Sequence, residues 1–350
     1  MRQGRNIVLC ATAFLAGDLL GGWIPFPAGA WLAAALLFTV LSLFKRSTAL
    51  ILTTFALLGA TALQNARIPS TPSPPGFLAQ RCAALQMRCS RQLDKVLPEG
   101  EERAVAKALA VGDKSELSRA TKGAYRASGA SHLLALSGLH VGILYKLLVA
   151  MLFPLALSVP LRRVRSLLVI ALLWGYAAIS GLSPSISRAA LMITLYEGAT
   201  LIGRRSDGLC SLGVSALLIT LLNPEAPREI GFQLSFSACL GIFLFYPYFK
   251  RMLQTRLRLL RAVWDGASLA IACQLTTAAP VWIYFHSFPR YFLITNLLTL
   301  PVVTAVLYLT VFCLLLSFFN IPTAFPSLVL HKCLQILNYI TSTIAELKII

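Results

Sequence analysis

The chain has 350 residues, 57% of them hydrophobic and only 13% charged, yet it carries a net charge of +18. A mean hydropathy of +0.75 excludes an ordinary soluble globular protein. The net charge by itself suggests a polyanion binder, but the placement of the cations answers first to membrane topology.

Apolar runs recur along the chain, several of them long enough for the ~30 Å hydrocarbon core. They predict an all-α, polytopic helical membrane protein with about ten or eleven transmembrane helices and amphipathic interfacial helices. The first three spans, Ile7–Ile24, Gly29–Phe44 and Thr48–Ala66, form a leader over residues 1–66. Residues 67–129 form a short periplasmic or interfacial helical segment. It opens with RIPSTPSPPG, Arg67–Gly76, a linker that no regular helix tolerates. Leu78, Cys82, Leu85, Cys89, Leu93 and Val96 then recur at helical spacing, with Arg81, Arg88, Arg91 and Lys95 elsewhere on the wheel. That pattern is a basic amphipathic helix, either lying on the membrane surface or packed on the body with a solvated face. Glu99, Glu101 and Glu102 start a further helix, EERAVAKALAVG, with acids at the positive end of its dipole. Asp113–Ser118 supplies a turn and a cap before a short helix that ends at Ser128 and Gly129.

Residues 130–350 form the main transmembrane domain. Its expected spans are His132–Val159, Ser166–Gly181, Ile186–Gly203, Gly208–Leu222, Gly231–Phe249, Ala262–Tyr284, Tyr291–Phe319 and Phe325–Ile344. Arg251–Arg261 reads as an interfacial helix. Cations cluster after every second span: Arg2 and Arg5; Lys45 and Arg46; Arg162, Arg163 and Arg165; Arg204 and Arg205; then Lys250 through Arg261. The positive-inside rule therefore puts the N-terminus in the cytoplasm. The loops near Pro25, Pro184, Pro224 and His286 face outward. No phosphate-binding loop and no metal-ligand spacing occurs among the eight cysteines, so neither cofactor nor metal is expected.

Polar groups inside apolar spans are the functional candidates. SHLLALSGLH, Ser131–His140, holds two of the four histidines. Ser137 and His140 lie three apart on one helix face, and Gly138 and Gly142 form a small strip for close helix packing. Three roles fit the segment: packing, a polar lining of a translocation path, or a Ser137 nucleophile with a histidine base. In GLSPSISR, Gly181–Arg188, Pro184 breaks one helix and opens the next. Arg188 in its first turn reads equally as an anion site and as an arginine snorkelling to the interface. GFQLSFS contributes Gln233 and Ser235, and Asn296 precedes Pro301 as Gln274 precedes Pro280. Pro280 and Pro301 are taken as mid-span helix breaks that free backbone carbonyls. Glu197 and Asp265 are intramembrane acids available to a cation.

These pieces, in this order, resemble the competence domain of the ComEC family, the inner-membrane DNA-uptake channel of naturally transformable bacteria. The matching stretches are Ala108–Ser118, Tyr125–Arg126, Gly129–Gly142, Gly181–Met192, Asn223–Ile242 and Gln274–Pro301, within roughly residues 101–320. The resemblance implies passage of single-stranded DNA from periplasm to cytoplasm during natural transformation, with Ser137, His140, Arg188, Gln233, Ser235 and Asn296 lining or bracing the path and none of them catalytic. The family's outward OB-type barrel has no counterpart in the short, helical stretch Arg67–Val96, and no nuclease-type His-x-His-x-Asp-His cluster occurs. The resemblance thus assigns DNA capture, strand degradation and driving force to a separate periplasmic DNA-binding protein, a nuclease and a cytoplasmic motor. A transporter of a smaller anionic solute, an intramembrane serine hydrolase and a degenerate structural relative are the alternatives.

Overall fold

The computed structural model describes residues 2–21, 31–32, 34–35, 37, 52–60, 77–156, 158–204, 207–286 and 291–347. Most of the expected second span and the whole Arg67–Gly76 linker lie outside these. The described residues are helical throughout, without a strand. In chain order the labelled helices are α1 (Arg2–Gly21), α2 (Phe77–Val96), α3 (Glu101–Ala110), α4 (Arg119–Ala127), α5 (Ser131–Leu134), α6 (Gly138–Met151), α7 (Val159–Ile179), α8 (Pro184–Leu201), α9 (Gly208–Leu222), α10 (Ile230–Leu244), α11 (Tyr246–Met252), α12 (Arg258–Phe285), α13 (Phe292–Phe318) and α14 (Ala324–Leu347). Two of them, α12 and α13, are long and apolar enough to cross a membrane, and α10 with α11 makes a third candidate bent by 43°.

The chain divides into two compact units. One comprises Met1–Pro74 and Leu191–Phe243, the other Pro75–Ala190 and Leu244–Ile350. In the first, α1 crosses the helix at 52–60 at backbone contact. A Cβ added to Gly17 would lie 1.7 Å from the Ala56 carbonyl oxygen, and one on Gly59 would lie 2.0 Å from that of Phe14. Small residues let backbones approach this closely, which is how helices associate where lipid removes the hydrophobic driving force. Helix α9 packs on α1, and Ala216, Ala226 and Phe232 form a small core beside Leu15 and Ile219.

The second unit is built around α3. Ala104, Val105, Ala106, Ala108 and Leu109 are all buried, packed with Val303, Val306 and Leu307 of α13 and Leu330, Leu334 and Leu337 of α14. An Ala-rich helix forms readily and its small side chains allow burial on every side. This helix of the 67–129 segment thus packs into the core of the second unit. Gly112 ends α3 in the left-handed conformation (φ 83°), with its N–H and that of Val111 both bonded to the Lys107 carbonyl. Ser118 caps α4 by accepting from the Thr121 N–H at 3.0 Å, and Asp113 accepts from the Ser115 N–H at 3.0 Å, as the turn-and-cap reading expects.

Three expectations need correction. Residues 251–261 are not one helix: α11 stops at Met252 and α12 starts at Arg258. Its place is taken by a turn, pinned where the Trp264 indole N–H donates to the Phe249 carbonyl at 2.9 Å and Lys250 pairs with Asp265 at 3.4 Å. Pro280 and Pro301 do not break their helices, for α12 and α13 run through them. Each removes one helical N–H donor without ending the helix, because the flanking turns are held by packing. Third, His132–Val159 is not a single span but α5, a break at Ala135–Ser137, α6 and a 3-10 turn at Phe153–Ala156.

Candidate functional site

The break at Ala135–Ser137 decides what the SHLLALSGLH segment can do. Ser137 is not on a helix face; it is the N-cap of α6, with extended backbone (φ −127°, ψ 165°), and His140 is the third residue of that helix. The Ser137 N–H donates to His140 Nδ1 at 3.3 Å, so Nδ1 is the acceptor of the neutral ring and the hydrogen sits on Nε2. The Ser137 hydroxyl lies 2.9 Å from the same nitrogen. This is a capping box with histidine in the place of the usual Glu or Gln. His140 is fully buried and its Nε2 has no hydrogen-bond partner among the described residues.

His132 completes the cluster. Its Nδ1–H donates to the Gly129 carbonyl at 3.2 Å, and its ring stands 5.8 Å from that of Phe292, one turn before Asn296 on α13. It is near enough to His140 to act on it electrostatically. Asn296 is 5% exposed and its Oδ1 has no partner among the described residues. Next to it in the chain, the Thr295 hydroxyl donates to the Ser128 carbonyl at 2.7 Å, tying the start of the motif to α13. The second unit thus holds Ser137, His140, His132 and Asn296, with the motif tied to α13 through His132–Phe292 and Thr295–Ser128. A buried, half-satisfied polar cluster beside a helix break is costly unless water or a ligand completes it.

Arg188 is also buried, at 5% exposure, with one guanidinium N–H donating to the Ser185 hydroxyl at 3.0 Å. Burial removes the snorkelling reading. Pro184 opens α8 as expected, and a Cβ on Gly138 would meet that of Ala189 at 3.5 Å, ordinary packing distance, which places the start of α6 beside α8. Gly142 is not a packing position, since an added methyl would meet nothing within 4 Å. Gln233 and Ser235 belong to the other unit, where the Gln233 amide donates to the Pro227 carbonyl at 3.0 Å.

Sequence reasoning missed Asp18. This acid has no exposure, and Arg228 reaches it with one nitrogen 3.4 Å from Oδ2 and another donating to its backbone oxygen at 3.1 Å. An acid inside the first apolar run and an arginine in a short loop otherwise poor in cations were the signals available. Lys107 was missed as well. Its Nζ lies 2.6 Å from Asp94 Oδ1 and is bonded to Glu116, while Arg103 approaches both acids at 3.4 Å. Burial opposes the Lys107 charge, but the two carboxylates outweigh it and raise the pKa. Asp113, where burial is outweighed by bonds from Ser115 and Ser90, is lowered.

Comparison with known proteins places this site within a family. Residues 109–350 match the family described as Competence protein. The sequence is 30% identical over 244 residues to ComE operon protein 3 of Bacillus subtilis (strain 168), a match covering 70% of this chain and 29% of that protein. It is 26% identical over 211 residues to the uncharacterized protein YcaI of Escherichia coli (strain K12), covering 57% and 27% respectively. The chain therefore spans less than a third of the length of these relatives. No solved structure matches it. The family match takes in the Ser137 cap, both histidines, Arg188 and Asn296, and on that ground the chain belongs to the ComEC family of competence proteins.

Proposed function

We propose that the chain is the channel portion of a DNA-uptake system, multi-pass in the bacterial inner membrane with its N-terminus in the cytoplasm, and that it passes one DNA strand inward during natural transformation. The observation that carries this reading is the set of polar side chains at a helix break, the Ser137–His140 cap with His132, and Asn296 buried on the adjoining α13, inside the stretch shared with competence proteins. Non-helical backbone and unfilled polar valences at membrane depth are tolerated where they face a wet path or protein. A single strand carries about one charge per nucleotide and requires such a hydrated route, with weak, repeated contacts. Arg188 supplies positive charge next to the break, and Gln233 and Ser235 add polar surface in the other unit. In this reading a periplasmic DNA-binding protein, a nuclease activity and a cytoplasmic motor work with the channel.

A hydrolytic role for Ser137 is disfavoured by the geometry. With the hydroxyl on Nδ1, an orienting carboxylate would have to sit on Nε2, and that nitrogen has no partner among the described residues. The test is uptake of labelled DNA and transformation frequency in a strain whose only copy is Arg188→Ala, Gln233→Ala or Asn296→Ala, each checked for normal insertion. Uptake is expected to fall at least tenfold for Arg188→Ala and Asn296→Ala. Full uptake by all three variants refutes the lining assignment. Competition by mononucleotides as strong as that by long single strands refutes a strand channel in favour of a small-anion transporter.

A further inference from the structure

A second polar site lies beside the helix break, and neither the family match nor the lining reading assigns it. A cavity of about 280 Å3 opens where four segments of the second unit meet: α2 at Gln86, the end of α3 at Gly112 and Lys114, the break at Leu136, and the turn between α7 and α8 at Gly181 and Ser183. Three features shape it. Gly112 and Gly181 both take left-handed backbone, at φ 83° and 69°, and a Cβ on either would collide with a wall, 2.3 Å from Leu136 Cδ1 or 2.7 Å from Gln86 Oε1. Between the latter glycine and Ser183, Leu182 holds φ 53°, a conformation that side chains of its kind avoid and that only a well-packed surround maintains. Gln86 is fixed in the wall because its amide donates to the Val111 carbonyl at 3.0 Å.

The lining offers one ammonium, that of Lys114, and one unpartnered hydroxyl, that of Ser183. Lys114 is exposed and its ammonium has no ion pair among the described residues. The two acids nearest it in sequence are already engaged. Asp113 accepts from Ser90 at 2.6 Å and from the Ser115 N–H and hydroxyl, and Glu116 pairs with Lys107 and Arg103. The Ser183 hydroxyl oxygen is buried with no hydrogen-bond partner among the described residues. A cavity of this size, one unneutralised ammonium and one idle hydroxyl suit a single phosphodiester-linked nucleotide. By the topology of the cation clusters the Pro184 turn faces outward, so this cavity lies on the side from which a strand enters.

We infer that the Gln86–Lys114–Ser183 cavity is an entry subsite that binds one nucleotide of the incoming strand, with Lys114 opposite its phosphodiester and Ser183 donating to it. This rests on the strand-channel reading and adds a named subsite to it. The experiment uses the full chain in lipid nanodiscs and a short fluorescein-labelled oligothymidylate, with anisotropy read across a salt series. Lys114→Gln is expected to weaken binding at low salt and to reduce the slope of log K against log salt by about 0.7, the loss of one single-strand phosphate contact. Ser183→Ala is expected to weaken binding about two- to tenfold with the slope unchanged. Lys122→Gln, the same charge change on α4 away from the cavity, is expected to leave the slope at the wild-type value.

Wild-type slope and affinity in Lys114→Gln would overturn the subsite while leaving the channel standing, because uptake by the unsubstituted chain is scored separately. An equal drop in Lys122→Gln would overturn it too, by showing that only general charge is read. Displacement of the strand by glycerophosphoglycerol at concentrations where mononucleotide fails would give the cavity to a lipid headgroup and overturn it likewise. No strand binding by the wild-type chain, together with loss of uptake, would remove both readings at once.

Discussion

Lys107 shows how one buried charge is kept. Its side chain is 3% exposed, whereas those of Asp94 and Glu116 are 39% and 38% exposed. The lysine therefore bears nearly all the desolvation, and the acids remain partly hydrated. Removing the lysine and removing its partners are then unequal operations. Lys107→Met leaves two carboxylates that rehydrate and still face Arg103, so the expected loss is about 1 kcal/mol or less. Asp94→Asn with Glu116→Gln strands an ammonium in the core of the second unit, and the expected loss is about 3–5 kcal/mol. Thermal unfolding of the three proteins in one detergent measures both. The pH dependence has opposite signs. In the wild type the Lys107 pKa is raised above its unfolded value, so its contribution is complete below pH ~10 and falls away as pH rises through the folded value. In the double variant the stranded lysine titrates below its unfolded value, so that protein should gain stability between pH 7 and 10. A double variant that melts like Lys107→Met would show that the acids do not hold the lysine.

At the scale of elements, glycines that look alike in the sequence do different work. Gly17 and Gly59 sit where α1 and the 52–60 helix touch backbone to backbone, and Gly142 sits in open space on α6. Gly17→Ala is expected to force the helices apart and destabilise by about 1–3 kcal/mol. Gly142→Ala is expected to be neutral or to stabilise by up to about 1 kcal/mol through helix propensity. Equal melting temperatures for the two variants would refute the close crossing. The sequence told part of this story. Apolar helices such as α9 and α13 follow from their unbroken hydropathy, and the stripe of Cys82, Leu93 and Val96 on α2 follows from helical periodicity. The break at Ala135–Ser137 did not, because a serine followed three residues later by histidine is not the usual capping pair and every flanking residue is apolar. The burial of α3 was hidden for another reason: alanines mark a helix without marking a face, and only contact with α13 and α14 shows that all sides are covered. His132 was legible as a polar residue in an apolar run, but its ring contact with Phe292 joins positions far apart in the chain, and no local pattern encodes that.

For the whole molecule, the open question is how many helices cross. Two described helices meet the length and hydropathy of a span and a bent pair makes a third, yet the alternation of cation clusters calls for about ten crossings. The two statements meet at α9. Its 15 residues reach about 22 Å at 1.5 Å per residue, short of the ~30 Å hydrocarbon core. A short helix still crosses if the bilayer thins locally or flanking residues extend the span, at fractions of a kcal/mol per Å of mismatch. Cation placement favours crossing, with Arg204 ahead of α9 and the Asn223–Glu229 turn after it. Alkaline phosphatase fused after Gly203 should be inactive in the cytoplasm, and the same enzyme fused after Asn223 should be active in the periplasm. The contrast does not depend on the fused protein's stability if both fusions accumulate equally by immunoblot. Matching activity at the two sites would show that α9 folds back without crossing. It would also reverse the orientation inferred for every later loop, putting the Arg251–Arg261 cluster on the same side as the Pro184 turn.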